Sequence, residues 1–216
     1  MKNENPISSF CELFGLLAIW ILCPLTSLGQ KVDTVYYADG SIKSYGQTTS
    51  GLKKGVWTTR YPGGTLNAVL NYRDGKLDGE QKFYGFEGNL IGLEHWVSDE
   101  LNGPATYFYS NGLVEKEGKY AASQYTGRWE FYYETGILKR SGNYVEGLPE
   151  GSWKFYTEGG SLYQEGSFTV GEESGLWRFY DGKGRQTYEG HFEKGERTGQ
   201  WYRYKRSGER KAWKTF

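Results

Sequence analysis

Glycine occupies Gly40, Gly64, Gly88, Gly112, Gly136, Gly160, Gly184 and Gly208, each 24 residues beyond the last. A second comb, Gly55, Gly79, Gly103, Gly127, Gly151, Gly175 and Gly199, keeps the same step. Only 32 of the 216 residues are glycine, so two combs of this regularity record tandem repetition rather than composition. Each unit of such a chain buries its apolar surface against its neighbours, which makes an extended array and not one compact core. The units run 31–54, 55–78, 79–102, 103–126, 127–150, 151–174 and 175–198, with a shortened unit at 199–216.

Residues 1–29 are different. Met1–Glu12 is largely polar with one lysine, Lys2, and Leu13–Leu25 is almost uninterrupted apolar sequence. That run falls short of the ~20 residues a spanning helix needs. It closes on Pro24 and Leu25, and Ser27 and Gly29 are the small residues that cleavage before Gln30 requires. The reading is a secretory signal peptide over 1–29 and an exported mature chain, 30–216, that is periplasmic, surface-bound or secreted. An uncleaved anchor is the other reading. Lipid attachment at Cys23 fits less well, because Leu22 precedes it and Pro24 follows. Both cysteines, Cys11 and Cys23, fall in this leader, so the mature chain has no disulfide and no transmembrane span. Removing Lys2 from 26 basic residues, and Glu4 and Glu12 from 26 acidic ones, leaves 25 against 24. So even a balance argues against a nucleic-acid partner.

Unit 127–150, GRWEFYYETGILKRSGNYVEGLPE, shows the pattern most clearly. A Trp-x-Phe-Tyr segment reads as a first strand, and an x-Gly pair such as Asn111-Gly112 or Gly159-Gly160 as a tight turn, because glycine takes positive φ without steric cost. A second strand runs from Leu138 to Tyr144, and Glu146-Gly147 turns into the next unit. No stretch of 30–216 keeps a helical period. The fold class is therefore all-β: an elongated, single-layer, twisted antiparallel meander of stacked β-hairpins.

Trp57, Trp129, Trp153, Trp177 and Trp201 share one repeat position and would stack as a ladder, since a single open sheet must build its apolar ridge from its own side chains. Tyr84, Tyr132, Tyr156, Tyr180 and Tyr204 fall on the opposite face by strand alternation and are the candidate binding residues, an exposed aromatic ridge. Units 79–102 and 103–126 depart from the pattern. Gln81 and Ala105 replace Trp, Trp96 stands where Tyr or Phe is usual, and Asp99 and Ser123 replace the second-turn glycine. This reads as drift, with a bend or a binding patch as the other reading.

The combination G-x-W-x-F/Y-Y-x-x-x-G-x-L, then E-G-x-Y/F and x-x-G-x-x-x-G, resembles the MORN repeat in its bacterial variant form, best in 127–198 and over about 31–216 in all. The resemblance implies stacked hairpins in one elongated sheet, used for interaction and scaffolding and sometimes for phospholipid contact. Many bacterial members are labelled toxin–antitoxin antitoxins, a role that fits poorly with export.

Catalytic chemistry finds little support. His95 and His191 share a repeat position but lie four units apart, roughly 38 Å at ~4.8 Å per strand, too far for a common metal. Glu117, Glu165 and Glu189 recur before Gly118, Gly166 and Gly190, but Ser141 interrupts the series, and such glutamates read as cross-strand partners for lysine or arginine. Arg197, Arg203, Lys205, Arg206, Arg210, Lys211 and Lys214 make a basic C-terminal stretch, read as an edge guarded by charge, with anionic lipid or acidic glycan binding as the alternative. The expectation is a non-enzymatic exported scaffold with no cofactor and no metal. It would bind a protein partner, or else a glycan or anionic lipid. An antitoxin-like, toxin-neutralising protein is the alternative.

Overall fold

A computed structural model describes residues 31–216; the leader read over 1–29 lies outside the described residues. The strands are β1 Lys31–Tyr36, β2 Ile42–Thr49, β3 Leu52–Arg60, β4 Leu66–Arg73, β5 Lys76–Leu77, β6 Gly79–Tyr84, β7 Leu90–Val97, β8 Glu100–Phe108 and β9 Val114–Ala121. They continue as β10 Gln124–Tyr132, β11 Leu138–Val145, β12 Leu148–Tyr156, β13 Leu162–Thr169, β14 Glu172–Tyr180, β15 Gln186–Glu193, β16 Glu196–Tyr204 and β17 Arg210–Thr215. Each pairs antiparallel with the next, forming one open meander with β1 and β17 at its edges. Eight hairpins make sixteen strands; the seventeenth arises because β5 and β6 are one strand, interrupted at Asp78, and both pair with β4.

The glycine combs mark two backbone needs. All fifteen comb glycines have positive φ, from Gly127 at 62° to Gly103 at 123°. At the hairpin tip Tyr133 N–H donates to Ile137 O at 2.8 Å and Gly136 N–H to Tyr133 O at 2.8 Å, which closes a three-residue loop with glycine at its left-handed corner. The tight two-residue turn is instead the inter-unit one: Glu146 and Gly147 have φ of 50° and 80°, and Val145 pairs with Leu148. At the second comb, Gly151 to Trp153 stand opposite Gly142 alone, between the pairs Asn143–Glu150 and Ser141–Lys154. The strand bulges there, and only a residue tolerant of positive φ begins the bulge.

A third glycine series has a different cause. A Cβ built on Gly46, Gly118, Gly142, Gly166 or Gly190 would meet the tryptophan eleven residues later at 2.4, 2.3, 2.2, 2.1 and 2.1 Å. Each indole lies flat over the preceding strand's glycine. Its Nε1–H donates to the carbonyl one residue beyond, at 2.9 Å for Trp57 to Gln47 and Trp129 to Lys119. The same bond is 3.2 Å for Trp153 to Asn143, 3.2 Å for Trp177 to Ser167 and 3.3 Å for Trp201 to His191. All five are buried, at most 2% exposed, although the sheet has a single layer. Neighbouring rings provide the cover. Tyr144, Trp153, Phe168, Trp177, Phe192 and Trp201 follow one another edge to face at centroid separations of 5.1, 5.8, 5.3, 5.7 and 5.3 Å.

The departures in units 79–102 and 103–126 are compensated by new side-chain contacts. Where Gln81 and Ala105 replace tryptophan, Leu70 and Glu94 replace the seat glycine eleven residues before. Gln81 is fully buried and keeps the indole's bond, donating Nε2–H to Asn71 O at 3.1 Å while its Oε1 accepts from Asn71 N–H at 2.7 Å. Glu94 holds Trp96 Nε1–H at 2.8 Å and Tyr107 OH at 2.7 Å. The turn residues Asp99 and Ser123 do likewise. Their side chains accept from Leu77 N–H at 2.6 Å and Leu101 N–H at 3.2 Å, a bond glycine cannot make.

Val170 is the misfit. It is β-branched, 68% exposed, and held at φ 51° in the first position of a two-residue turn. Val170→Asn is expected to raise stability by about 1 kcal/mol by relieving the left-handed penalty. The midpoint of urea unfolding measures this, and an unchanged or lower midpoint would refute it.

Candidate binding face

Strand alternation gives the sheet two unlike faces: an aromatic one holding the tryptophan ladder, and a polar one holding the tyrosines of the Trp-x-Phe-Tyr segments. Tyr84, Tyr132, Tyr156, Tyr180 and Tyr204 are all half-buried on the latter rather than fully exposed. Their hydroxyls meet the glutamate series. Tyr132 OH donates to Glu130 at 2.7 Å and lies 3.1 Å from Glu117, and Tyr180 OH donates to Glu165 at 2.7 Å. Tyr204 faces Glu189 in the same manner. At the corresponding place before Tyr156 stands Ser141, which instead accepts from Arg128 at 3.3 Å.

The glutamates thus serve two partners. Glu165 pairs with Lys154 at 3.9 Å and Glu189 with Arg210 at 3.0 Å, alongside their tyrosines. Burial and the neighbouring carboxylates raise the Tyr132 hydroxyl above its ordinary pKa, and burial with Glu165 pushes Tyr180 up to about 12. The Tyr132 hydroxyl, helped by Arg128, holds Glu130 below the usual carboxylate range. A tyrosine whose folded pKa is raised contributes stability that is complete below its unfolded pKa of 10.0 and is lost as pH rises through the folded value. Tyr180 is therefore expected to titrate near 12, and to fall toward 10 when Glu165→Gln removes the carboxylate. Tyrosinate absorbance follows this directly, and an unmoved midpoint in the variant counts against the pairing.

Between the charged strands run shallow grooves. One, of 520 Å³, is bordered by Pro104, Thr106, Glu117, Lys119, Arg128 and Glu130, and another of 170 Å³ lies among Ser152, Lys154, Glu165, Ser167 and Arg178. Sequence reasoning missed the cations Arg128 and Arg178 on this face. It also missed a tyrosine series one residue past the named one. Tyr37, Tyr61, Tyr109 and Tyr133 donate to the carbonyls of Arg60, Tyr84, Tyr132 and Tyr156 at 2.7, 2.9, 2.7 and 2.8 Å, latching each unit to the next. Their 24-residue spacing was the available signal.

The two histidines are not brought together. His95, half-buried on β7, pairs across to Glu80, and exposed His191 sits on β15 opposite Leu176. Much of the basic C-terminal stretch is engaged internally. Arg197 lies 4.7 Å from the Trp201 ring, Arg210 holds Glu189, and Lys205 pairs with Glu209 at 2.8 Å. Among the described residues no helix is long and apolar enough to cross a membrane.

An open repeat sheet with one aromatic and one charged, tyrosine-bearing face defines the class: a β-hairpin repeat scaffold. Two adjacent repeats, residues 125–146 and 149–169, match the family described as MORN repeat variant. No curated protein matches the chain. Among solved structures, a GtfA/B complex bound to UDP and GlcNAc overlaps 53% of this chain and 22% of its own at 13% identity and a TM-score of 0.24. A TcdB2-TccC3-Cdc42 structure overlaps 82% of this chain and 13% of its own at 12% identity and a TM-score of 0.19. The chain thus spans less than a quarter of either, and overlaps this weak inform neither fold nor function.

Proposed function

We propose that this chain is a non-enzymatic, exported scaffold whose polar face binds a protein partner. The observation that supports it most is the pinning of tyrosine hydroxyls by glutamates along that face. Tyrosine offers a large amphipathic contact surface, and a side chain already held in one rotamer loses little entropy on binding. Export rests on the leader read in the sequence. MORN repeats are generally binding repeats, which agrees with a scaffold of this kind.

Affinity capture from the protein's own envelope fraction is the test, using the chain and a variant with Tyr132, Tyr156 and Tyr180 changed to Ser. A protein retained by the first and lost by the folded variant is expected. Retention by both would move the site off this face. Capture of polysaccharide, or of anionic vesicles alone, would replace the protein partner with those ligands. Recovery of the chain from the cytoplasm with its leader intact would turn the reading toward a toxin-neutralising protein.

A further inference from the structure

On the aromatic face, one repeat position departs from its neighbours in charge. The residues there are Ser44, Ala68, Gly92, Lys116, Arg140, Gln164 and Tyr188, so cations stand only in units 103–126 and 127–150. Phe131 on β10 is the cross-strand partner of both, Lys116 on β9 and Arg140 on β11. The two cations therefore flank one ring, with backbones roughly 10 Å apart across two strand spacings. The Arg140 guanidinium lies 4.2 Å above Phe131, and Lys116 Nζ lies 4.4 Å from the Tyr107 ring and 2.9 Å from Tyr125 OH. Lys139, beside them, sits 5.3 Å from the Tyr133 ring.

None of the three has a carboxylate partner among the described residues. Arg140 Nε is also the one buried side-chain polar atom among the described residues that has no hydrogen-bond partner. A guanidinium on an aromatic floor with no carboxylate beside it lacks a counter-charge, and an oxyanion in the cleft supplies one through the outer guanidinium nitrogens. These groups line an open cleft of 310 Å³, in which Glu115 is the one carboxylate. Three cations against one anion give it a local positive charge, in a chain whose overall balance is even.

We infer that this cleft is a carboxylate subsite that takes acidic side chains of a protein partner, with Arg140 and Lys116 as its anchoring donors on either side of Phe131. Its volume admits one or two side chains, and cations already lie over its Phe131 and Tyr125 rings. The inference rests on the reading of the chain as a protein-binding scaffold. It adds a second contact, anchored by cations of the aromatic face and bordering the tyrosine–glutamate row at Tyr132.

The test is calorimetric titration of the purified full chain with hexaglutamate, and with hexaglutamine as the uncharged control, at low ionic strength. Hexaglutamate alone should bind. Arg140→Gln and Lys116→Gln should each weaken it at least about tenfold, as expected when a charge-assisted hydrogen bond is lost. Lys183→Gln, at an exposed hairpin tip two units away, should leave it unchanged. Circular dichroism establishes that each variant is folded, and if Arg140→Gln unfolds the chain, Lys116→Gln decides. Undetectable hexaglutamate binding, equal binding in the cleft variants, or binding of inorganic phosphate or phosphatidylglycerol vesicles in its place would overturn the assignment. If the cleft variants still capture a partner that the tyrosine variant loses, the cleft alone falls and the scaffold stands.

Discussion

Replacing Trp177 by alanine is expected to destabilise the array by about 3–5 kcal/mol, the range for removing a large aromatic from a packed site. Trp177 is 2% exposed, with Phe168 and Phe192 edge-on at 5.3 and 5.7 Å. Truncation leaves a void on a sheet that has no second layer to close over it, and strands the Ser167 carbonyl that the indole now holds. Because each unit couples mainly to its neighbours, the damage should be local. Hydrogen exchange should show lost protection in β13–β15 with β2–β4 retained, and urea unfolding gives the magnitude. A loss below about 1 kcal/mol would mean that the ladder does not hold the sheet together.

Gly166→Leu should be nearly as damaging, about 3 kcal/mol, because the new Cβ falls 2.1 Å from the Trp177 ring and the indole has nowhere to go. Leu70 with Gln81 shows the alternative packing within this same chain. Adding Trp177→Gln to Gly166→Leu should therefore restore stability relative to the leucine variant. A favourable coupling of about 1–3 kcal/mol is expected in the double-mutant cycle. If the two effects simply add, the glycine and tryptophan are independent and the account of the substituted units is wrong.

That coupling marks the border of what the sequence made legible. The hairpin repeat could be read directly, since glycine every 24 residues at two phases signals two recurrent backbone conformations, and every one of those glycines has positive φ. Strand alternation likewise put Tyr132 and Tyr180 on the face away from Trp129 and Trp177. The loop types were less accessible, because an x-Gly pair fits both a two-residue turn and the corner of a three-residue loop. Tyr180 reads as a binding residue on an exposed ridge, and Glu165 as a partner for lysine or arginine. Their hydrogen bond appears only once the strands are in register.

The chain's own repetition determined the meander, the unit length and the segregation of aromatic from charged side chains, because these follow from local conformational preference and a period of two. Tertiary structure decided which side chain fills which space. The seat of each indole on a glycine eleven residues earlier, the paired exchange at Leu70 and Gln81, and the flanking of Phe131 by Lys116 and Arg140 are contacts between strands. Their geometry is set by bulges and pairing register, which shift side chains by whole residues, so spacing alone does not say which residues meet.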